Sequence, residues 1–213
     1  QRDQKEDRRA RAIERMLENS RAWADHWTSY WQDVLAENPN ILKPKLNNTG
    51  PFRFWIHESL QDNKPMDRFV TELVTAKGSI YSSGPANYFR INSNANDLTE
   101  STAQLFLGIR LECAKCHHHP FEKYSQGDYN GFAAFFKGVG TKSSEEFGLF
   151  GRESVVVVKA GTTGKATPLG GEPVEHPLDL RIPLAKWLTS KQNHFFSQNV
   201  VNRYVSYLLG RGL

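Results

Sequence analysis

Both cysteines of this 213-residue chain fall in one pentapeptide, Cys113-Ala114-Lys115-Cys116-His117. That spacing is the one that attaches a c-type haem. Two thiols can add to the two vinyl groups of a single porphyrin only if they lie close together on one side of the chain, and a short helical segment supplies that placement. An imidazole directly after the second thiol then sits where it can ligate the iron, so neighbouring residues fix the cofactor covalently and coordinately. The stretch therefore predicts one covalent haem c held by Cys113 and Cys116, with His117 as the proximal iron ligand.

The residues before the motif carry a helical pattern. Leu98, Thr102, Leu105, Ile109, Cys113 and Cys116 follow one another at steps of three or four, which is one face of a helix. Asp97 and Glu100 have the spacing of a capping box. The periodicity predicts a single helix of about fifteen residues that opens near Asp97 and carries the motif.

Other chemistries use the same cysteine spacing. A thioredoxin-like redox pair needs a strand leading into a helix start, so that the helix dipole lowers the first thiol's pKa; here the pair follows a helical pattern instead. A zinc site could combine Cys113 and Cys116 with two of His117, His118, His119, His176 and His194, because tetrahedral zinc takes mixed ligands. No second cysteine pair supports that alternative.

Composition narrows the classes further. Lys and Arg number 27 against 23 Asp and Glu, too small an excess to point to a polyanionic partner. Lys5, Arg8, Arg9 and Arg11 are interleaved with Glu6, Asp7 and Glu14, the pattern of a solvated helix face rather than a nucleic-acid surface. No apolar run approaches the length of a membrane span. The chain starts at Gln1 without a signal segment and ends at Gly210-Arg211-Gly212-Leu213 after an amphipathic helix, so both ends read as cuts in a longer chain. Haem is joined to this motif on the extracytoplasmic side of bacterial membranes, which predicts a periplasmic or secreted protein whose export signal lies outside this piece.

Elsewhere the pattern is mainly helical. Asp7 to Leu17 reads as a charged helix. After Asn19 and Ser20, Trp23, Trp27, Tyr30, Trp31, Val34 and Leu35 recur at helical intervals, an aromatic stripe that suits a core and could also wall a haem. Phe52 to Leu60 and Pro65 to Thr75 read as further helices, the latter with proline in its first turn. Ser125 and Asp128 cap a helix bearing Tyr129, Phe132, Phe135 and Phe136. The glycine-rich stretch from Gly138 to Glu175 contains one strand-like run, Val155 to Val158, and reads as a small β insertion or linker. Helical periodicity returns at Leu184, Trp187 and Leu188, then at Phe195, Val200, Val201, Tyr204 and Leu208.

Several stretches resemble a family of large exported planctomycete proteins, in which a cytochrome-c-like domain of unknown function precedes a second uncharacterised domain. They are Asn63-Lys64-Pro65 with Asp67 and Phe69, Ala86-Asn87-Tyr88, the run from Thr99 to Gly108, and Cys113 through Phe121. Gln126, Asp128-Tyr129 and Ala133 to Phe136 continue the likeness. Beyond the insertion, His176 to Arg181, Leu184-Ala185, Trp187-Leu188-Thr189, Val201-Asn202-Arg203 and Gly210 to Leu213 resemble the opening of the second domain. Met66, Tyr124 and His194 depart from the family's usual residues, and His118 stands where the family varies.

The resemblance implies a mainly α, cytochrome-c-like helical domain over residues 1–140, the Gly-rich insertion over 141–175, and a helical start of a second domain over 176–213. It implies an exported haem protein acting in redox chemistry, whose partner is a redox protein or another domain of the same longer chain. His119, which is matched in the family, lies too close to His117 to reach the other face of the haem; support of His117, a propionate contact or ligation of another metal are favoured over a purely structural role. Arg110, Lys115 and Lys123 are candidate propionate partners. Met16, Met66, His26 and His57 are candidates for the sixth iron ligand. A filled sixth position suits electron transfer, whereas an open one suits a haem enzyme of peroxidatic or polysaccharide-related activity. Electron transfer is the reading adopted, with the open-site enzyme and a zinc-binding structural module as alternatives.

Overall fold

The computed structural model describes residues 2–36, 50–118, 123–148, 151–159 and 164–213. The fold is mainly helical with a small antiparallel sheet. Helix α1 (Arg2–Leu17) precedes α2 (Ser20–Val34), which opens where the Asn19 side chain accepts from the Ala22 amide at 3.0 Å. Ile13, Met16 and Leu17 on α1 stay exposed. The aromatic stripe of α2 is core in part: Trp27, Trp31 and Leu35 are buried, whereas Trp23, the first residue of the stripe, is exposed, and α2 packs on α3 (Gly50–Gln61). Trp31 meets Phe69 of α4 (Met66–Thr75) with ring centroids 5.3 Å apart.

After the two-residue strand β1 (Gly78–Ser79), a short 3₁₀ turn leads into α5 (Asn87–Ile91) and then α6 (Ala95–Leu107). Leu98, Ala103 and Phe106 bury the inner face of α6. A second 3₁₀ turn, Glu112–Lys115, comes before α7 (Gln126–Ala133). The capping box expected for α7 is present, with Ser125 and Asp128 satisfying each other's amides. Tyr129, Phe132, Phe135 and Phe136 are buried, as their spacing predicts.

The insertion is a hairpin of β2 (Val139–Gly148) and β3 (Gly151–Val158), with Val139 opposite Val158. Strand β1 pairs with the other edge of β3, placing Gly78 opposite Val156 and giving the order β1-β3-β2. Val156 turns inward and is buried. The sheet is thus tied to the helical part through a strand too short to be legible by alternation.

Helix α8 (Arg181–Leu188) packs on α4, and α9 (His194–Leu209) packs on α6. Arg181 is wholly buried. Its guanidinium donates to Asp179 at 3.0 and 2.8 Å and to the Ala76 carbonyl at 2.7 Å, and it lies 4.9 Å from the Phe89 ring centre. A buried charge is tolerated only when its donors are used in this way. Leu180, Leu184, Leu188 and Phe196 join the hydrophobic cluster that contains Phe52, Phe69, Phe106 and Phe132.

Candidate functional site around the cysteine pair

Helix α6 stops short of the motif. Gly108 adopts the left-handed conformation with φ of 71°, its amide turning back to Ala103 O, the common way for a helix to end. The single helix expected to run through the cysteines is therefore two pieces, α6 and the Glu112–Lys115 turn. Ile109 continues the stripe only in being buried. The start of α6 also differs from the expectation. Asn94 is the cap, accepting from the amides of Asn96 and Asp97 at 3.0 Å each, while Asp97 takes a bond from Asn94 Nδ2 at 2.7 Å. Asn94 starts the helix one turn earlier and leaves Asp97 inside its first turn, and an Asn cap is as good as an Asp.

The motif turn has one inward residue. Ala114 is completely buried, whereas Cys113, Lys115, Cys116, His117 and His118 are exposed. Both thiols are free. Three side chains from elsewhere hold the turn: Gln126 Nε2 donates to Lys115 O at 3.1 Å, Lys115 Nζ lies 3.4 Å from Glu100 Oε1, and Tyr129 donates to that same Glu100 oxygen at 2.8 Å. Burial, and then Glu100, push the Tyr129 phenol well above its ordinary pKa, so it stays a donor. At the start of α7, the Ser125 amide and hydroxyl hold the Asp128 carboxyl below its usual range.

His117 has its ring ordered by the chain. Nδ1 lies 2.7 Å from the carbonyl of His118. Since a carbonyl only accepts, Nδ1 is the donor in this contact, and in the neutral ring Nε2 keeps its lone pair, the form in which imidazole ligates a metal. Two accessible thiols followed by such an imidazole fit a covalently held haem, and they equally present soft ligands to a metal ion. Among the described residues, no three His, Cys, Asp or Glu side chains cluster to hold a metal. His119 lies outside the described residues.

Arg110 is exposed and lines a cleft of about 500 Å³ beside the turn, together with Ile91, Asn92, Asp97, Glu100, Ser101, Gln104, Leu111 and Glu112. This lining is too polar to wall a porphyrin and suits a propionate edge or water. Lys115 is drawn to Glu100 and Lys123 lies 6.0 Å from the Tyr124 ring centre. The other candidates have partners of their own. His57 pairs with Asp25 at 2.9 Å, His26 meets the Tyr207 hydroxyl at 3.1 Å, and Met66 packs against the core. Met16 is exposed on α1, and His194 is the first residue of α9. His176 Nδ1 accepts from the amides of Leu178 and Asp179 at 3.2 and 2.9 Å.

A family model described as PSCyt2, a protein of unknown function (DUF1549), matches residues 1–141. The chain belongs to this family. The PSCyt2 match takes in α1 through α7 and the cysteine motif. Neither a curated protein nor a solved structure matches the chain. Among the described residues, no helix is long and apolar enough to cross a membrane.

Proposed function

We propose that this PSCyt2 chain is a c-type cytochrome domain that binds one haem covalently and transfers electrons. The observation that carries the reading is the motif turn itself. It buries only Ala114, leaves both thiols accessible, and orders the His117 ring with Nε2 free. Cys113 and Cys116 would hold the porphyrin through thioether bonds, His117 would ligate the iron, and Arg110 would meet a propionate from the cleft. Bound there, haem supplies a one-electron iron couple. The residues of the chain position it: Glu100, Gln126 and Tyr129 fix the turn, and the His118 carbonyl sets the His117 tautomer.

The resemblance to exported planctomycete proteins supports a domain that works outside the cytoplasm, joined to a second domain that opens near His176, and that passes electrons to a redox partner or to other domains of its own chain. A haem enzyme is the second reading. It is favoured by the engagement of His26, His57 and Met66 in contacts of their own, so that none of the three would be offered to a haem iron held at the motif.

The test is the pyridine haemochrome spectrum of denatured protein after extraction with acidified organic solvent. A c-type band retained on the polypeptide, and abolished in Cys113→Ala/Cys116→Ala, is the expected result. Zinc found by metal analysis in place of haem, or covalent haem in the double variant, would overturn the reading. Rapid cyanide or carbon monoxide binding would favour the enzyme over the carrier.

A further inference from the structure

Beside the motif a buried phenol is paired with a base. The Tyr129 ring is 2% exposed and its hydroxyl donates to Glu100 at 2.8 Å. A phenol gives up an electron far more readily when its proton leaves at the same moment, because the protonated radical is a very strong acid. In a buried site that proton needs an acceptor already at hydrogen-bond distance, and the Glu100 carboxylate is one. The same environment raises the phenol's pKa, so its proton is retained until the electron goes. Glu100 also lines the open cleft, through which protons exchange with water.

We propose that Tyr129 is a redox-active residue, a one-electron relay that hands its proton to Glu100 on oxidation and recovers it on reduction. A one-electron oxidant takes an electron from the phenol, the Tyr129 O–H bond breaks, and an O–H bond forms on Glu100. The products are a neutral tyrosyl radical, a neutral carboxylic acid and the reduced oxidant; a one-electron donor reverses the step. Service to a haem at Cys113 and Cys116 rests on the reading above, whereas the oxidation of Tyr129 by an external oxidant does not.

Placement supports a relay. Tyr129 shares Glu100 Oε1 with Lys115 of the motif turn. One turn along α7, Phe132 meets Trp187 of α8 with centroids 6.1 Å apart, and Trp187 is half-exposed. A second oxidisable ring, Trp187, thus lies towards the outside, next to the residue one turn beyond Tyr129. Tyr88 supplies an internal contrast. It is likewise closed to solvent and its pKa is raised, but its hydroxyl lies in a deeper site and faces the Thr102 hydroxyl at 3.0 Å, which is no base.

Flash oxidation of the whole chain by photogenerated tris(bipyridine)ruthenium(III), read by transient absorption and freeze-quenched electron paramagnetic resonance, tests the proposal. Running it on the chain as isolated and on Cys113→Ala/Cys116→Ala separates the result from the question of haem. A slowly decaying tyrosyl signal should vanish in Tyr129→Phe, persist in Tyr88→Phe, and form about a hundredfold more slowly in Glu100→Gln. Full yield in Tyr129→Phe, or an unchanged rate in folded Glu100→Gln, would overturn it. Should near-ultraviolet circular dichroism show that Glu100→Gln has lost its packing, the wild-type rate in deuterium oxide decides instead. A slower rate supports proton transfer with the electron, and an equal rate rejects it.

Discussion

In α6, Leu98, Thr102, Ala103 and Phe106 turn one continuous face into the core, while the turn that follows buries Ala114 alone and is fastened by Glu100, Gln126 and Tyr129. The two pieces adjoin in sequence and are separated by the left-handed Gly108. The first is held by its own period and the apolar area it removes from water; the second is held by polar ties from other elements. A turn built this way keeps its thiols and imidazole outside, because almost none of its stability depends on burying them.

The contrast breaks most visibly through Phe106→Ala. Losing a fully buried ring should cost about 3–5 kcal/mol and lower the urea midpoint of the whole domain. A loss under about 1 kcal/mol would mean that α6 is not the anchor described here. Tyr129→Phe should cost about 1–2 kcal/mol, with a local signature. Hydrogen exchange should quicken at the amides of Ala114 and His117 while those of Ala103 and Phe106 hold, and uniform change would erase the distinction between the two pieces. The smallest effect sits at Asp128, whose carboxyl is held below its unfolded pKa by Ser125. That contribution is present above about pH 4 and fades as pH falls through the folded value. Asp128→Asn should therefore be less stable at neutral pH by up to about 1 kcal/mol, with the gap closing in acid. A gap that widens on acidification would reverse the assignment.

The parts legible in the sequence are those governed by local rules. The α2 stripe of Trp27 and Trp31, the Ser125 cap, the buried aromatics of α7 and the strand at Val155 to Val158 all follow from period or capping chemistry. The end of α6 was written in Gly108, a glycine placed just past the last apolar residue, but the run from Ile109 through Cys116 happens to keep helical spacing and masks it. Asn94 was likewise available as a cap and was overshadowed by the Asp97–Glu100 pair. The Glu100–Tyr129 bond spans two helices and has no local signal. Nothing in the pattern around residue 100 distinguishes a carboxylate that meets a buried phenol from one that faces water. Arg181 is similar, since its partner Ala76 O lies far back in the chain and offers only a backbone carbonyl.

The two residues between the cysteines are unequal in how much variation they allow. Ala114 fills its space completely, and a larger side chain there would lift the turn off the core and move both sulfurs with it, whereas position 115 opens to solvent and can take almost any residue that leaves Glu100 a donor or water. The proposed haem attachment would ask only that the thiols be spaced correctly; this fold adds a size limit at one of the two spacer positions, so a library randomised at both and selected for folding should return only the smallest residues at 114 and a broad mixture at 115.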